Sequence, residues 1–165
     1  MHNNDPQHRL RDGLIALLRA LPILGKMLRF SLHLTRPHFS AGVVGVVLNG
    51  EGRLLLVKHA FHIERPWGLP GGWVDRGEDP VESLQRELIE EVGVKVDVVS
   101  PLLIQRAPGL APHLDIAYLC RARNDVDQLS LELLDYRWVE LSKEKELPPF
   151  HQAALHAATT LLETY

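Results

Sequence analysis

Apolar residues follow two different spacings along this chain, and the spacing distinguishes candidate strands from candidate helices. An apolar run at 41–48 and a segment at 53–58 with four consecutive apolar residues flank a turn with two glycines at 49–52, a pattern that predicts a β-hairpin. Further strands are predicted downstream at 95–106, 113–121 and 136–141. A proline opens the last apolar segment, so a helix is predicted at 149–163.

The middle of the chain changes to a helical spacing. Four apolar residues share one face when they are projected at about 100° per residue, namely Val81, Leu84, Leu88 and Val92. Asp79 is the predicted N-cap, Pro80 suits the first helical position, and Gly93 is a natural stop. The pattern therefore predicts a helix between Asp79 and Gly93, preceded by a glycine-rich turn.

A third pattern occupies the first forty residues. The segment 10–34 is strongly apolar, but basic residues interrupt it and Pro22 divides it, which predicts two short amphipathic helices. Arg19 and Lys26 keep every apolar run well short of the roughly 20 residues that a membrane span needs, and no small-residue cleavage site marks a secretory signal. Packing on the folded domain or across a homodimer is the expected role, with contact to an anionic membrane surface as the less favoured alternative.

These patterns predict a helical extension at 1–38, followed by one globular domain that contains both strands and helices. A chain of 165 residues with 45% hydrophobic and 24% charged residues is long enough to bury one core. Its single cysteine, Cys120, lies in a predicted strand and excludes an internal disulfide. We therefore expect a buried structural thiol and a reducing, cytoplasmic compartment.

The formal net charge of -3 is unevenly distributed. Residues 1–40 contain six basic and two acidic side chains, whereas the remainder contains twelve and nineteen. An acidic body argues against stable binding of nucleic acid. It is compatible with a nucleotide enzyme whose acidic residues are neutralised by a metal ion.

Three carboxylates converge beside the apolar face of the predicted central helix. Glu87, Glu90 and Glu91 share an arc of roughly 100° on the helical projection. Like charges at this spacing destabilise a helix by a few tenths of a kcal/mol per pair, so the cluster is unfavourable unless a cation binds. Mg²⁺ suits a ligand set made only of oxygen atoms. The alternative is an ordinary solvated acidic face.

The whole segment 72–94 resembles the Nudix box at every defined position. The matching residues are Gly72, then after five residues Glu78, then after seven residues Arg86, Glu87 and Leu88, followed by Glu90, Glu91, Gly93 and Val94. The resemblance implies a mixed-sheet α/β/α sandwich over roughly 39–165 and a hydrolase that cleaves phosphoanhydride bonds. It also implies Mg²⁺ as the cofactor, with Mn²⁺ as a substitute.

The resemblance implies roles for individual residues as well. It assigns metal binding to the three helical carboxylates Glu87, Glu90 and Glu91. The main-chain carbonyl of Gly71 or Gly72 is expected as a further ligand. Arg86 is expected to orient a glutamate by ion pairing, either Glu90 or Glu78, and Glu78 is expected to support the site.

The general base stays open between the box and the downstream acids. The candidates are Glu87 and Glu90 in the helix and Glu132, Asp135 and Asp115 further along the chain. Among the downstream acids Glu132 is favoured, because it precedes the strand with Trp138 at about the position where several relatives place a loop acid. The alternative for Glu132 is a solvent-facing charge.

The box identifies the bond that is cut and leaves the substrate open. The family generally cleaves a nucleoside diphosphate linked to another group, such as an NDP-sugar or ADP-ribose. A (d)NTP pyrophosphohydrolase and a non-catalytic nucleotide-binding regulatory module are the alternatives, although the intact acids of the box argue against the second. Weaker candidates for substrate contact are Arg65, Trp67 and Pro108.

Two features outside the box bear on the substrate site. Gly42 and Gly45 thin the first strand, which indicates either a closely approaching ligand such as a base or plain packing against a helix. The loop at 59–66 contains His59 and His62 but lacks the cysteine or helical histidine pair of a zinc site. Its polar residues are therefore predicted to lie at the surface or in a substrate loop.

Overall fold

A computed structural model of the chain describes residues 39–109, 112–141 and 146–164, together with 11, 23, 26, 27, 30 and 31. The chain divides into two units, Met1–His38 and Phe39–Tyr165. In the first unit the six described residues are helical, and the rest of the predicted two-helix segment lies outside the described residues. None of the described helices is long and apolar enough to cross a membrane.

Within the described part of the second unit, seven strands join into one sheet. They are β1 (Ser40–Leu48), β2 (Arg53–His59), β3 (Trp67–Gly68), β4 (Gly71–Trp73), β5 (Val96–Arg106), β6 (His113–Ala122) and β7 (Leu133–Glu140). The predicted hairpin forms because the Gly52 N–H donates to the Asn49 carbonyl at 3.0 Å and closes the turn between β1 and β2.

The sheet is mixed and its strand order places β1 near the middle. The order is β3-β2-β1-β6-β5, with β4 paired to β1 and β7 paired to β2. β1 and β6 run parallel, whereas the other pairs are antiparallel. Gly71 and Gly72 on β4 face Val44 and Val43 on β1. The glycine-rich turn is therefore anchored on a central strand.

Two helices cover the sheet, α1 (Pro80–Val92) and α2 (Pro149–Glu163). Successive residues of a strand point to opposite faces, so β1 contributes to two core clusters. Val43 is buried in the cluster that contains Leu88 of α1, and Val46 is buried in the cluster that contains Ala154 of α2. This arrangement confirms the predicted α/β/α sandwich with a mixed sheet.

The strand boundaries depart from the predicted ones at β7. This strand begins at Leu133 rather than at 136, because it pairs with β2 as far as His59, where the register shifts. The loop before β7 therefore ends at Glu132, which directly precedes the strand. Cys120 is only 1% exposed, and burial raises the pKa of its thiol to about 12, as expected for a structural cysteine.

Candidate active site

The ends of α1 are fixed by the residues that the sequence predicted. The Asp79 carboxylate accepts a hydrogen bond from the N–H of Val81 at 2.8 Å, and Pro80 begins the helix. At the other end Gly93 adopts a φ of 70°, and its N–H donates to the Ile89 carbonyl at 3.0 Å. Because both ends are fixed, the carboxylates of α1 have a defined direction toward the glycine-rich turn.

Glu91 is a buried carboxylate, only 8% exposed. Its Oε2 accepts a hydrogen bond from the N–H of Gly71 at 3.0 Å, which ties α1 to the turn. Burial raises the pKa of Glu91 to about 7, and the negative charges of Glu87 and Glu132 act in the same direction. A buried acid with acidic neighbours needs a cation to stabilise its charged form.

Gly72 brings the main chain directly against Glu87. A Cβ atom at position 72 would overlap the Glu87 carboxylate, so only glycine leaves room for that group. Gly71 adopts a φ of 146°, and a side chain there would collide with the main chain of Val43. The two glycines therefore form a wall without side chains, where carboxylate and main-chain oxygens can approach one small ion.

Arg86 joins the acidic residues of the box. Its guanidinium contacts both carboxylate oxygens of Glu78, with N–O distances of 3.0 Å. It also donates to Glu87 at 2.9 Å and to Glu90 at 3.3 Å. The hydrogen bonds from Arg86 lower the pKa of Glu78 to about 2. Arg86 thus contacts both partners that the sequence offered, and Glu87 is an additional partner.

The loop before β7 brings a further acid to the site. The Ser130 N–H donates to the Glu91 carbonyl at 2.8 Å, and the Glu132 carbonyl accepts from the Ala60 N–H at 2.8 Å. These bonds place Glu132 near enough to Glu91 for its charge to raise the pKa of that buried acid. Glu132 is exposed, so solvent water also reaches its carboxylate.

The other downstream acids are engaged elsewhere. The Asp115 carboxylate lies 3.3 Å from Nε2 of His113 on β6. The Asp135 carboxylate accepts a hydrogen bond from the N–H of Tyr136 at 2.8 Å. Of the three downstream candidates for a general base, Glu132 is the one whose charge acts on the buried Glu91 carboxylate.

The three weaker candidates for substrate contact lie in different surroundings. Trp67 is half-buried on β3, and the Arg137 guanidinium lies 4.2 Å from the centre of its ring. Arg65 and Pro108 are exposed in loops. The hydrogen bonds and ion pairs of the described carboxylate cluster involve none of the three, so their contact with a substrate stays a prediction.

The donor set of the cluster fits a hard divalent cation, although the ligands are not yet gathered around one point. Across 39–109, 112–141 and 146–164, no three acidic, histidine or cysteine side chains are already arranged to hold a metal ion. Arg86 holds Glu87 and Glu90, and the Glu90 side chain is 60% exposed. Mg²⁺ can bind through one or two carboxylates and complete its shell with water and phosphate. Glu91 and Glu87 are the firmest candidates for those carboxylates.

Two residues without a predicted role, Trp73 on β4 and His113 on β6, lie against each other. Trp73 is 58% exposed, and its ring centroid lies 4.7 Å from that of His113, which is 5% exposed. An aromatic residue next to the box glycines was the available sequence signal for this contact. Its partner could not be read from the sequence, because His113 arrives through the parallel pairing of β1 with β6.

Comparison with known proteins bears on the second unit. The NUDIX domain family model matches residues 38–158. The mouse protein named Nucleoside diphosphate-linked moiety X motif 6 is 29% identical over an alignment 164 positions long, and the match covers 79% of this chain and 52% of the mouse protein. The chain spans about half the length of the curated relatives of this name that it matches.

Two solved structures have the same fold. The crystal structure of a MutT NUDIX hydrolase from Burkholderia pseudomallei is 24% identical and covers 73% of this chain and 98% of its own, with a TM-score of 0.63. The NUDIX domain of Shewanella oneidensis NrtR, solved with ADP ribose, is 20% identical and covers 77% of this chain and 90% of its own, with a TM-score of 0.65.

Proposed function

Since the chain belongs to the NUDIX domain family, we propose that it is a hydrolase that uses Mg²⁺ to cleave the pyrophosphate linkage of a nucleoside diphosphate joined to another group. One observation carries this proposal: the buried Glu91 carboxylate accepts the N–H of Gly71 at 3.0 Å, beside the contact of Glu87 with Gly72. Two acids against a main chain without side chains form a small anionic site that suits a hard cation.

Each residue of the cluster has a role in this proposal. Hydrolysis of a phosphoanhydride requires neutralised phosphoryl charge, an oriented water and a base, and bound Mg²⁺ supplies the first two. Glu91, Glu87 and Glu90 hold the ion, together with the carbonyl of Gly71 or Gly72. Mn²⁺ is expected to substitute, because it binds the same oxygen ligands.

Arg86 and Glu78 act on the geometry of the site. The Arg86 guanidinium fixes Glu87 and Glu90 in direction, and Glu78 holds the guanidinium at two points. We assign both residues to positioning, since neither needs to touch the reacting phosphate.

Glu132 is the proposed general base, with Glu87 and Glu90 as competing candidates. The carboxylates of Glu87 and Glu90 accept hydrogen bonds from Arg86, which reduces their capacity to accept a proton from water. Glu132 lies outside the hydrogen bonds of Arg86 and is exposed to solvent. A carboxylate in this position can take the proton of an attacking water.

The comparisons support a nucleotide substrate. The name of the mouse relative refers to a moiety linked to a nucleoside diphosphate, and the Shewanella domain was solved with ADP ribose. An NDP-sugar or an ADP-ribose type of compound is therefore the proposed substrate class. Release of pyrophosphate from a (d)NTP is the alternative within the same reaction chemistry.

A hydrolysis screen tests the proposal. Turnover is measured by chromatography on dNTPs, NDP-sugars, ADP-ribose, dinucleoside polyphosphates and NADH, with Mg²⁺ and with Mn²⁺. We expect metal-dependent cleavage that Glu91→Gln removes and Glu82→Gln retains, because Glu82 is an exposed acid on the same helix. Unchanged turnover in Glu91→Gln would contradict the metal-site assignment, and nucleotide binding without turnover would favour a regulatory module.

A further inference from the structure

Three residues form a row across adjacent strands at the start of β1. Gly42 faces Trp73 on β4 and Asp115 on β6. Residues directly opposite one another place their side chains on the same face of a sheet. The indole of Trp73 and the carboxylate of Asp115 therefore stand on one face, with a residue that has no side chain between them.

Gly42 allows the neighbouring side chains to lean over it. A Cβ at this position would lie 3.2 Å from Nε2 of His113 and 3.5 Å from Oδ1 of Asp115. The His113 ring fills the space beside the Trp73 ring, with 4.7 Å between centroids. The row therefore brings an indole, an imidazole and a carboxylate together.

The hydrogen bonds of His113 leave part of Asp115 available. Nδ1 of His113 lies 2.8 Å from the Ser40 hydroxyl, and Nε2 lies 3.3 Å from Oδ1 of Asp115. Both contacts are satisfied when the hydroxyl donates to Nδ1 and the Nε2–H donates to the carboxylate. Among the described residues no donor is bonded to Oδ2 of Asp115, whose side chain is 27% exposed. One carboxylate oxygen is fixed, and the other can accept from a ligand.

Trp73 connects this group to the carboxylate cluster. It follows Gly72 directly, so the two Cα atoms are about 3.8 Å apart, and its carbonyl accepts from Arg86 at 3.2 Å. In the described structure β4 pairs with β1 alone among the strands, and its other edge is bonded to α1 through Glu91 and Arg86. The α1 carboxylates therefore lie at the edge of the strand that carries Trp73, so one nucleotide can place its phosphates at these carboxylates and its ring on the exposed indole.

We propose that Trp73 and Asp115 form the nucleobase subsite of the proposed hydrolase and that this subsite selects guanine. The inference rests on the proposed function, because it assumes a nucleotide whose phosphates lie at the α1 carboxylates. Trp73 offers an exposed aromatic face to any base. Asp115 then discriminates among the bases through Oδ2 and the remaining lone pair of Oδ1, and His113 positions the carboxylate.

The choice of guanine follows from the chemistry of a carboxylate. An ionised carboxylate only accepts hydrogen bonds. Guanine presents two adjacent donors, N1–H and the N2 amino group, to such an acceptor. Adenine and cytosine place an unprotonated ring nitrogen beside their amino group, and uracil flanks its single N–H with two carbonyls, so each of them turns a lone pair toward the carboxylate.

Binding of uncleavable nucleotides to the full chain tests the subsite. Titration calorimetry with MgCl₂ and the α,β-methylene analogues of GDP, ADP, CDP and UDP gives affinities without turnover. We expect the GDP analogue to bind about tenfold or more tightly than the other three, the scale of one good two-point base contact. Asp115→Asn keeps an oxygen for His113 but introduces a donor, so it should remove that preference.

Variants of Trp73 and two matched controls complete the experiment. Trp73→Ala should weaken all four analogues, whereas Trp73→Phe keeps a stacking face and should retain most of the affinity. Asp97→Asn removes a carboxylate that is paired with Arg123, and Trp138→Phe changes an indole that donates to Asp125. Both controls should bind as the unaltered chain does, and thermal unfolding verifies that every variant is folded.

The outcomes separate this inference from the proposed function. Equal affinity for the four analogues, or a guanine preference that survives Asp115→Asn, would overturn the subsite even if hydrolysis is observed. A guanine preference that Asp115→Asn removes would support the subsite. If no nucleotide is then hydrolysed, the proposed function fails and the binding site stands.

Discussion

The two helices that cover the sheet differ in how they are held. Each begins with a proline, and they contain 13 and 15 residues. α1 has a side-chain cap at Asp79 and a left-handed glycine at its end, whereas α2 has neither: Pro148 makes no side-chain hydrogen bond and Thr164 is right-handed. Capping hydrogen bonds therefore fix both ends of the helix with the carboxylates, whereas the ends of α2 have no such caps.

The difference also extends to what each helix buries. α1 buries Ser83 and Glu91 among its apolar residues, whereas the buried residues of α2 are Ala154, Leu155 and Ala158. A buried carboxylate destabilises a fold unless it is compensated, so α1 carries an energetic cost that α2 does not. We infer that α1 is organised for binding and α2 for stability, and changes to the two helices should separate these effects.

The largest effect is expected from Glu91→Gln on α1. Loss of a metal-binding carboxylate should lower turnover at least about 100-fold. The same change should stabilise the metal-free protein, because the pKa of Glu91 is raised to about 7 by burial. Because the pKa of Glu91 is about 4.5 in the unfolded chain and about 7 in the folded one, the free energy of unfolding falls as pH rises through this range. The loss is about 3 kcal/mol at pH 8, and Glu91→Gln should abolish it.

Turnover with Mg²⁺ and urea unfolding in EDTA measure the two sides of this prediction. Unfolding at pH 5 and pH 8 should show the gain in stability mainly at pH 8. A variant that is inactive and also less stable at pH 8 would contradict the account, because it would make Glu91 a structural residue.

Leu155→Ala on α2 should show the reverse behaviour. Leu155 is 5% exposed in the core cluster of α2, and truncation of such a leucine costs about 2–5 kcal/mol. Urea unfolding should record this loss while kcat at 20 °C stays unchanged. Leu162→Ala is the matched control, because Leu162 is 45% exposed on the same helix and its truncation should cost less than about 1 kcal/mol. A loss of kcat in folded Leu155→Ala would mean that α2 also serves the chemistry.

Local features of this fold could be predicted from the sequence. The bounds of α1 follow from Asp79 and Gly93, because a cap and a left-handed glycine act on hydrogen bonds only a few residues away. The hairpin at Asn49 follows from its turn glycines in the same manner. The acidic cluster was predictable for the same reason, since its spacing lies within one helix.

Contacts between distant parts of the chain could not be predicted. The row of Trp73, Gly42 and Asp115 depends on the parallel pairing of β1 with β6, which no turn between neighbours specifies. The bond between His151 and Leu69 joins residues 82 positions apart. His59, predicted to lie at the surface or in a substrate loop, is half-buried on β2 for the same reason.

A smaller effect is expected from His151, a titratable residue on α2, whose buried residues are apolar. Its Nδ1 accepts the N–H of Leu69 at 3.0 Å, and burial followed by the charges of His59 and His62 lowers its pKa to about 4. Because the pKa of His151 is lower in the folded state, this group does not reduce the free energy of unfolding above about pH 6.5. As pH falls toward 4, it lowers the free energy of unfolding by up to about 3 kcal/mol. His151→Asn supplies an oxygen near the position of Nδ1 without a titrating group, so it should flatten this acid sensitivity.

The measurement is the free energy of unfolding between pH 7.5 and pH 4.5. His156→Asn is the control, because His156 is exposed on the same helix and should leave the pH dependence unchanged. The same slope in His151→Asn and in the unaltered chain would assign the acid sensitivity to other groups. In that case α2 would again be a helix whose role is apolar packing.

The smallest effect concerns the caps from which the comparison began. Asp79→Ala should destabilise the chain by about 1 kcal/mol, because the Val81 N–H loses its side-chain acceptor. Pro148→Ser introduces a side-chain cap on α2, which should stabilise the chain by about 1 kcal/mol. Loss of the proline also increases the conformational entropy of the unfolded chain, which costs about 0.4–1 kcal/mol, so the net change in stability should be close to zero. Urea unfolding measures both variants, and turnover should fall only in Asp79→Ala, because only α1 needs a fixed first turn to direct its carboxylates. Equal losses of stability and no loss of turnover would mean that the cap of α1 serves folding alone.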